Sequence, residues 1–170
     1  MTISMYKASA PIFAQFMTGL SNVLDKAAAH AEARKLDQAV LCGTRIYPDM
    51  FPLAVQVGQV TTHATRACAM LAGIEQPQFG GSETTIAGLK ERLTKAIAFV
   101  QSVTPEQIDG TEDKEIVLKF GSFEMKFNGQ QFLLNFSLPN FYFHDTTAYN
   151  ILRSYGVEIG KRDFMGRPPA

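Results

Sequence analysis

The chain has 170 residues, 46% of them hydrophobic and 19% charged, with a formal net charge of zero. One domain with its own core is expected at this length, without disulfide support. A zero charge balance lacks the basic face that phosphate contacts need, which excludes nucleic acid as a partner, and the apolar runs are too short to span a bilayer.

The start, Met1 to Lys7, is not a charged segment followed by a long apolar one, so no secretory signal is read there. Cys42 and Cys68 lack paired spacing and fit free thiols in a reducing cytoplasm. From about Ser9 to Arg34, residues Ile12, Phe13, Phe16, Met17, Leu20, Val23, Leu24, Ala27 and Ala28 recur at steps of three and four, which predicts a first helix with one buried face. Pro11 suits its first turn, and the residues upstream read as a separate turn. Lys35 to Tyr47 reads as a mixed connector. A second helix is expected from Asp49, as N-cap, through Pro52 in the first turn to Gly73. Its stripe is Met50, Ala54, Val57, Thr61, Ala64, Cys68 and Leu71, small enough at the centre for a neighbouring helix to come close. Pro77 and the Gly80-Gly81 pair mark a loop. Ile86, Leu89, Leu93, Ala96, Ile97 and Val100 predict a third helix from about Thr84 to Val103, ended by Pro105.

The period then changes to two. Ile116, Leu118 and Phe120, then Phe123, Met125 and Phe127, alternate with polar or small neighbours around Gly121-Ser122, which predicts a β-hairpin over about 115–128. Gly129 to Phe136 reads as a short aromatic-rich helix. Pro139 introduces a fourth long helix, about Asn140 to Gly156, and 160–170 reads as a polar tail closing on Pro168-Pro169. The expected fold is all-α, a single domain over 1–170. It is a four-helix bundle with a small β-hairpin inserted between helices three and four. The core of such a bundle is where facing helices present ligands to a metal or a small molecule.

The chemistry concentrates at the start of the fourth helix. Asn140 and His144 are four residues apart and share one helix face. Two nitrogen ligands at that spacing commonly hold a metal, but here the first is an amide. Two readings stand: a degraded metal site, or the mouth of a pocket that never held one. In a first helical turn His144 is favoured in its neutral form, as ligand or base. It is otherwise a structural histidine bonded to a carbonyl or carboxylate. Asn140 also fits an N-cap accepting from the Phe143 amide, and Asp145 complements the same helix dipole. Gln56 and His63 fall on one face of the second helix, where a polar stripe needs partners. His63 meets His144 across the bundle, sits on the rim, or pairs with an acid of the first helix. His30 is assigned no chemistry. Phe132, Phe136, Phe141, Tyr142, Phe143, Tyr149 and Tyr155 read as packed core, or as a pocket wall or dimer surface.

Three stretches, Asp49-Met50-Phe51-Pro52-Leu53, Pro139-Asn140-Phe141-Tyr142-Phe143-His144-Asp145-Thr146-Thr147-Ala148-Tyr149 and Gly160-Lys161-Arg162-Asp163-Phe164, carry a resemblance. Over nearly its whole length the chain resembles a branch of unknown function in the DinB/YfiT-like superfamily of four-helix bundles. The best-known members of that superfamily are thiol S-transferases and other metalloenzymes. Metal-binding members use one histidine on helix two and an HxxxH pair on helix four, followed by a Leu-Leu-Arg-x-x-Gly-like stretch. Matching that stretch to Ile151-Leu152-Arg153-Ser154-Tyr155-Gly156 places the pair on Asn140 and His144. The helix-two histidine falls at or near Gln56, with His63 two turns further along. The resemblance implies a divalent metal, zinc or nickel, on His63 and His144, with Gln56 or Asp49 in place of the third ligand. Such a site would lower a thiol's pKa and present the thiolate to an electrophile. A homodimer is implied as well. Because the strict ligand set is missing, the preferred expectation is a cytoplasmic, metal-free or degenerate-site module. It would bind a small molecule or thiol at a pocket of Gln56, Asn140, Tyr142, His144 and Tyr149. A thiol S-transferase-type enzyme using His63 and His144 is the alternative.

Overall fold

The computed structural model describes residues 4–80 and 83–167, so Gly81 of the expected loop and Pro168-Pro169 of the expected tail lie outside the described residues. Helix α1 (Ala10–Arg34) carries Pro11 in its first turn and buries Phe13, Met17, Leu20, Leu24 and Ala27, following the three-and-four spacing of the sequence. It stops where Lys35 turns left-handed, with φ 52°, and donates to the Ala31 and Glu32 carbonyls. The connector is not irregular throughout. It holds a short helix α2 (Gln38–Gly43), started by Asp37, whose side chain accepts from the Ala39 amide at 2.8 Å.

Helix α3 (Leu53–Ala72) begins four residues later than Asp49, with Pro52 in the N-cap position. Proline supplies no donor there, and none is needed ahead of a helix. Gly73 ends it with φ 71°, and the Lys114 ammonium donates to the orphan carbonyls of Met70 and Leu71 at 2.7 and 2.9 Å. Helix α4 (Ile86–Ser102) is capped by the Thr85 hydroxyl accepting from the Gly88 amide. A single turn α5 (Pro105–Ile108) follows. Strands β1 (Glu115–Phe120) and β2 (Phe123–Asn128) pair antiparallel, from Glu115 opposite Asn128 to Phe120 opposite Phe123. Gly121, at φ 60°, takes the first turn position, where a positive φ matches the twist of a two-residue hairpin. Ile116 and Leu118 bury one side of β1, and Phe127 leans on Phe132 and Phe136. The hairpin therefore gains its stability from the helices.

The last long helix differs most from expectation. A turn α6 (Gly129–Gln131) runs through a π-helical segment, Phe132–Ser137, straight into α7 (Leu138–Ser154). Pro139 therefore lies inside a continuous helical run. Its ring would clash with the carbonyl four residues back, and a wider π turn relieves that clash. Asn140 is not an N-cap. Its Nδ2 donates to the Phe136 carbonyl at 2.7 Å, serving an acceptor at the widened turn. The tail also contains a helix, α8 (Lys161–Met165), packed across α1 over Gly19.

The four long helices pack in a ring, α1 against α4, α4 against α3, and α3 against α7, with α7 returning to α1. The shared interior is apolar, with Phe13, Phe132, Phe141, Met17 and Leu53 fully buried. This is the expected all-α four-helix bundle with a small hairpin between the third and fourth long helices. Among the described residues no helix is long and apolar enough to cross a membrane. Cys42 and Cys68 are free and buried, and burial pushes the Cys68 thiol up to about 12.

Candidate functional site

The most intimate helix pairing, α3 with α7, carries the polar residues singled out in the sequence. Gln56 and His63 share one face of α3, and His144 meets them from α7. Gln56 is 1% exposed, and its Oε1 lies 2.7 Å from His144 Nδ1. Its Nε2 donates to the Phe51 carbonyl at 3.0 Å. A carbonyl can only accept, so the amide nitrogen must face Phe51 and the oxygen must face the ring. His144 Nδ1 therefore holds the proton, and in the neutral imidazole Nε2 is left with a lone pair.

Both rings are held neutral near pH 7. Burial lowers the pKa of His144. His63 is pushed down to about 4 by burial first, then by the Arg66 charge and by His144. The neutrality of His144 does not come from a helix start, because α7 continues the turns that begin at Gly129. The rings of His63 and His144 stack at 5.6 Å between centroids with 18° between planes, and Phe51 is near-parallel to His144 at 6.4 Å and 19°. Phe143 meets His144 edge-on at 5.3 Å, and Phe136 tilts against His63 at 5.9 Å. Phe51 is 50% and Phe143 57% exposed, so these two rings form the boundary between the histidines and solvent. Among the described residues His63 makes no side-chain hydrogen bond, although it is 6% exposed.

The residues expected to form one pocket divide between two faces of α7. Gln56, His63 and His144 come together. Asn140 lies one turn from His144 and is bonded to the helix backbone. Tyr142 and Tyr149 point the other way, Tyr142 against Phe16 and Phe141, Tyr149 against Phe164 of α8. Asp49 is exposed and outside the group. Asp145 is not a surface complement to a dipole. It is 1% exposed, its Oδ2 has no partner among the described residues, and burial pushes its carboxyl up to about 8. Its spacing from Phe141, Ala148 and Leu152, all buried, was the available signal. Phe51, sitting in a connector, gave no periodic signal at all.

This donor set does not fit a divalent ion. A zinc site of this kind needs three protein ligands around a tetrahedron. Ring lone pairs lie in the ring planes, and two nearly parallel stacked rings do not aim them at one point. The third family position is an amide oxygen already engaged by His144. No group of three or more His, Cys, Asp or Glu side chains able to hold a metal is found among the described residues.

Comparison with known proteins gives matches of wide coverage. The family described as Domain of unknown function (DUF1993) matches residues 5–165. A solved structure, a DinB family member protein from Shewanella denitrificans, is similar at 32% sequence identity and a TM-score of 0.86, covering 97% of this chain and 93% of that one. No curated protein matches. With nearly the whole length matched, and a DinB family member sharing its architecture, this chain belongs to the DUF1993 family, a DinB-like branch of unknown function.

Proposed function

We propose that this protein is a metal-free binding module that receives a small, largely apolar molecule at the α3–α7 seam. The Gln56–His144 hydrogen bond carries the reading. It fixes one tautomer and leaves Nε2 of a neutral imidazole as an acceptor, between aromatic faces. A thiol or phenol suits such a place, since its ring or chain packs on Phe51 and Phe143 while its S–H or O–H donates to nitrogen. The boundary rings are half-exposed, so a ligand would reach Nε2 by displacing Phe51 or Phe143. Two buried free thiols are compatible with a cytoplasmic setting.

The alternative, a zinc or nickel thiol S-transferase on His63 and His144, draws support from the adjacency of the two rings. It requires at least one ring to rotate out of the stack and a third donor to arrive from outside. Untagged protein should be assayed for metal by plasma emission and screened for thermal stabilisation by small thiols and phenols. Stabilisation that disappears in His144→Ala, in metal-free protein, is the expected result. Stoichiometric metal lost in that same variant would overturn the reading in favour of the enzyme.

A further inference from the structure

Seven arginines occur in the chain, and only Arg66 and Arg92 are drawn below the surface. Arg92 is fully provided for. Its Nη1 donates to Glu83 at 2.8 Å and to the Gly80 carbonyl, its Nε donates to Thr61 Oγ1, and it lies over the Phe79 ring. Arg66 forms no ion pair and no hydrogen bond among the described residues, and burial alone lowers its pKa. A guanidinium cannot shed its proton in a protein, so the charge persists without a counter-ion. Charges withdrawn from water gain from a partner, and Arg66 is partly withdrawn without one.

Arg66 opens into a cavity of about 420 Å³ between α3 and β1. Met70, Val117, Leu118 and Phe120 supply apolar surface beside the polar Arg66 and Gln76, and Lys119 adds a second cation at the rim. No carboxylate lines it. Gln76 is pinned as a wall by donating to the Thr62 carbonyl and Thr65 Oγ1. Glu124, on the facing strand, is shared between Lys119 and Lys126. The volume lies within the range of small-ligand sites.

We propose that this cavity binds a small organic carboxylate, its head group paired with Arg66 and its apolar tail against Met70, Val117 and Phe120. A planar guanidinium matches a carboxylate through two parallel hydrogen bonds, and the apolar side chains beside Arg66 give a tailed anion a contact that phosphate cannot use. Arg66 follows His63 by one helical turn on α3, and its charge is one of the influences holding that ring neutral. A bound carboxylate would cancel that influence. The site stands apart from the histidine seam and does not depend on the function proposed there.

Hexanoate, hexanamide and inorganic phosphate should be titrated into the full chain by calorimetry, with the His63 ring followed by NMR. Hexanoate is expected to bind at least about tenfold more tightly than the isosteric hexanamide, and to move the His63 titration midpoint upward. Arg66→Gln should remain folded, since it removes an unpaired charge, and should lose about tenfold or more in hexanoate affinity. Val117→Trp, which fills the cavity from the sheet side, should lose binding with Arg66 intact. Equal affinity for hexanoate and hexanamide, undiminished binding in both variants, no hexanoate binding at all, or tighter binding of phosphate than of hexanoate would each overturn the proposal.

Discussion

One buried acid and one buried base push the pH response of this protein in opposite directions. Asp145, pushed up to about 8 from an ordinary 3.8, keeps its proton when folded at pH values where the unfolded chain has lost it. Its contribution is complete below about pH 3.8 and is lost as pH climbs through about 8. His63, at about 4 when folded against 6.5, contributes fully above 6.5 and loses that contribution as pH falls through about 4. The two slopes oppose each other between about 4 and 6.5, leaving Asp145 to lower stability alone from there to about 8. Asp145→Asn mimics the protonated acid, so urea midpoints of the variant should no longer fall over that upper window. An unchanged decline would show that another group is responsible. Gln56→Ala tests the central hydrogen bond. It strands the His144 Nδ1 proton and the Phe51 carbonyl, and should cost about 1–3 kcal/mol in urea unfolding. No loss would mean that water replaces the amide.

At the scale of elements, the join between hairpin and last helix is the most constrained point. A Cβ on Gly129 would collide with the Thr111 carbonyl oxygen. Gly129→Ala must therefore push the Thr111 turn away from the start of α6, and should destabilise by about 1–3 kcal/mol or more, read as a drop in melting temperature. The widened turn before α7 is a second such point. Asn140→Ala removes the donor to the Phe136 carbonyl and should cost about 1 kcal/mol, with faster amide exchange confined to the π segment. Exchange that accelerates evenly along α7 would speak against a local role for this side chain.

Across the whole molecule, the ring of helices is closed partly by the tail. Gly19 lets the α8 backbone come close, since a Cβ there would stand 3.0 Å from the Phe164 carbonyl oxygen. Gln15 Nε2 donates to the Met165 carbonyl at 2.8 Å, and Phe16 meets Phe164 edge-on. Gly19→Val should lift α8 off α1 while the bundle persists. Limited proteolysis is expected to cut near Lys161 in the variant and to spare the parent protein. A tail equally resistant in both would show that the aromatic contacts alone hold it. The Lys26–Asp163 pair should matter little by comparison, since exposed ion pairs contribute weakly.

Local pattern was enough to place the four long helices and the hairpin. Periods of 3.6 and 2 are properties of neighbouring residues, and Leu89, Leu93 and Val100, or Ile116 and Leu118, declare their buried side without knowledge of what covers it. The same pattern put Gln56 and His63 on one face of the second long helix, but it left open whether His63 meets His144, the rim or an acid, and could not say which ring nitrogen holds a proton. The remaining features depend on atoms distant in sequence. The α8 helix is too short to form by propensity and exists because Gly19 offers it a groove. The π turn at Pro139 reflects a helix held continuous by packing on both sides. Tyr142 and Tyr149 left the expected pocket because α1 and α8 supplied aromatic partners on the opposite face. The isolation of Arg66 is likewise invisible in the sequence, since an ion pair, or its absence, is decided only when separate segments of the chain come within about 4 Å of one another.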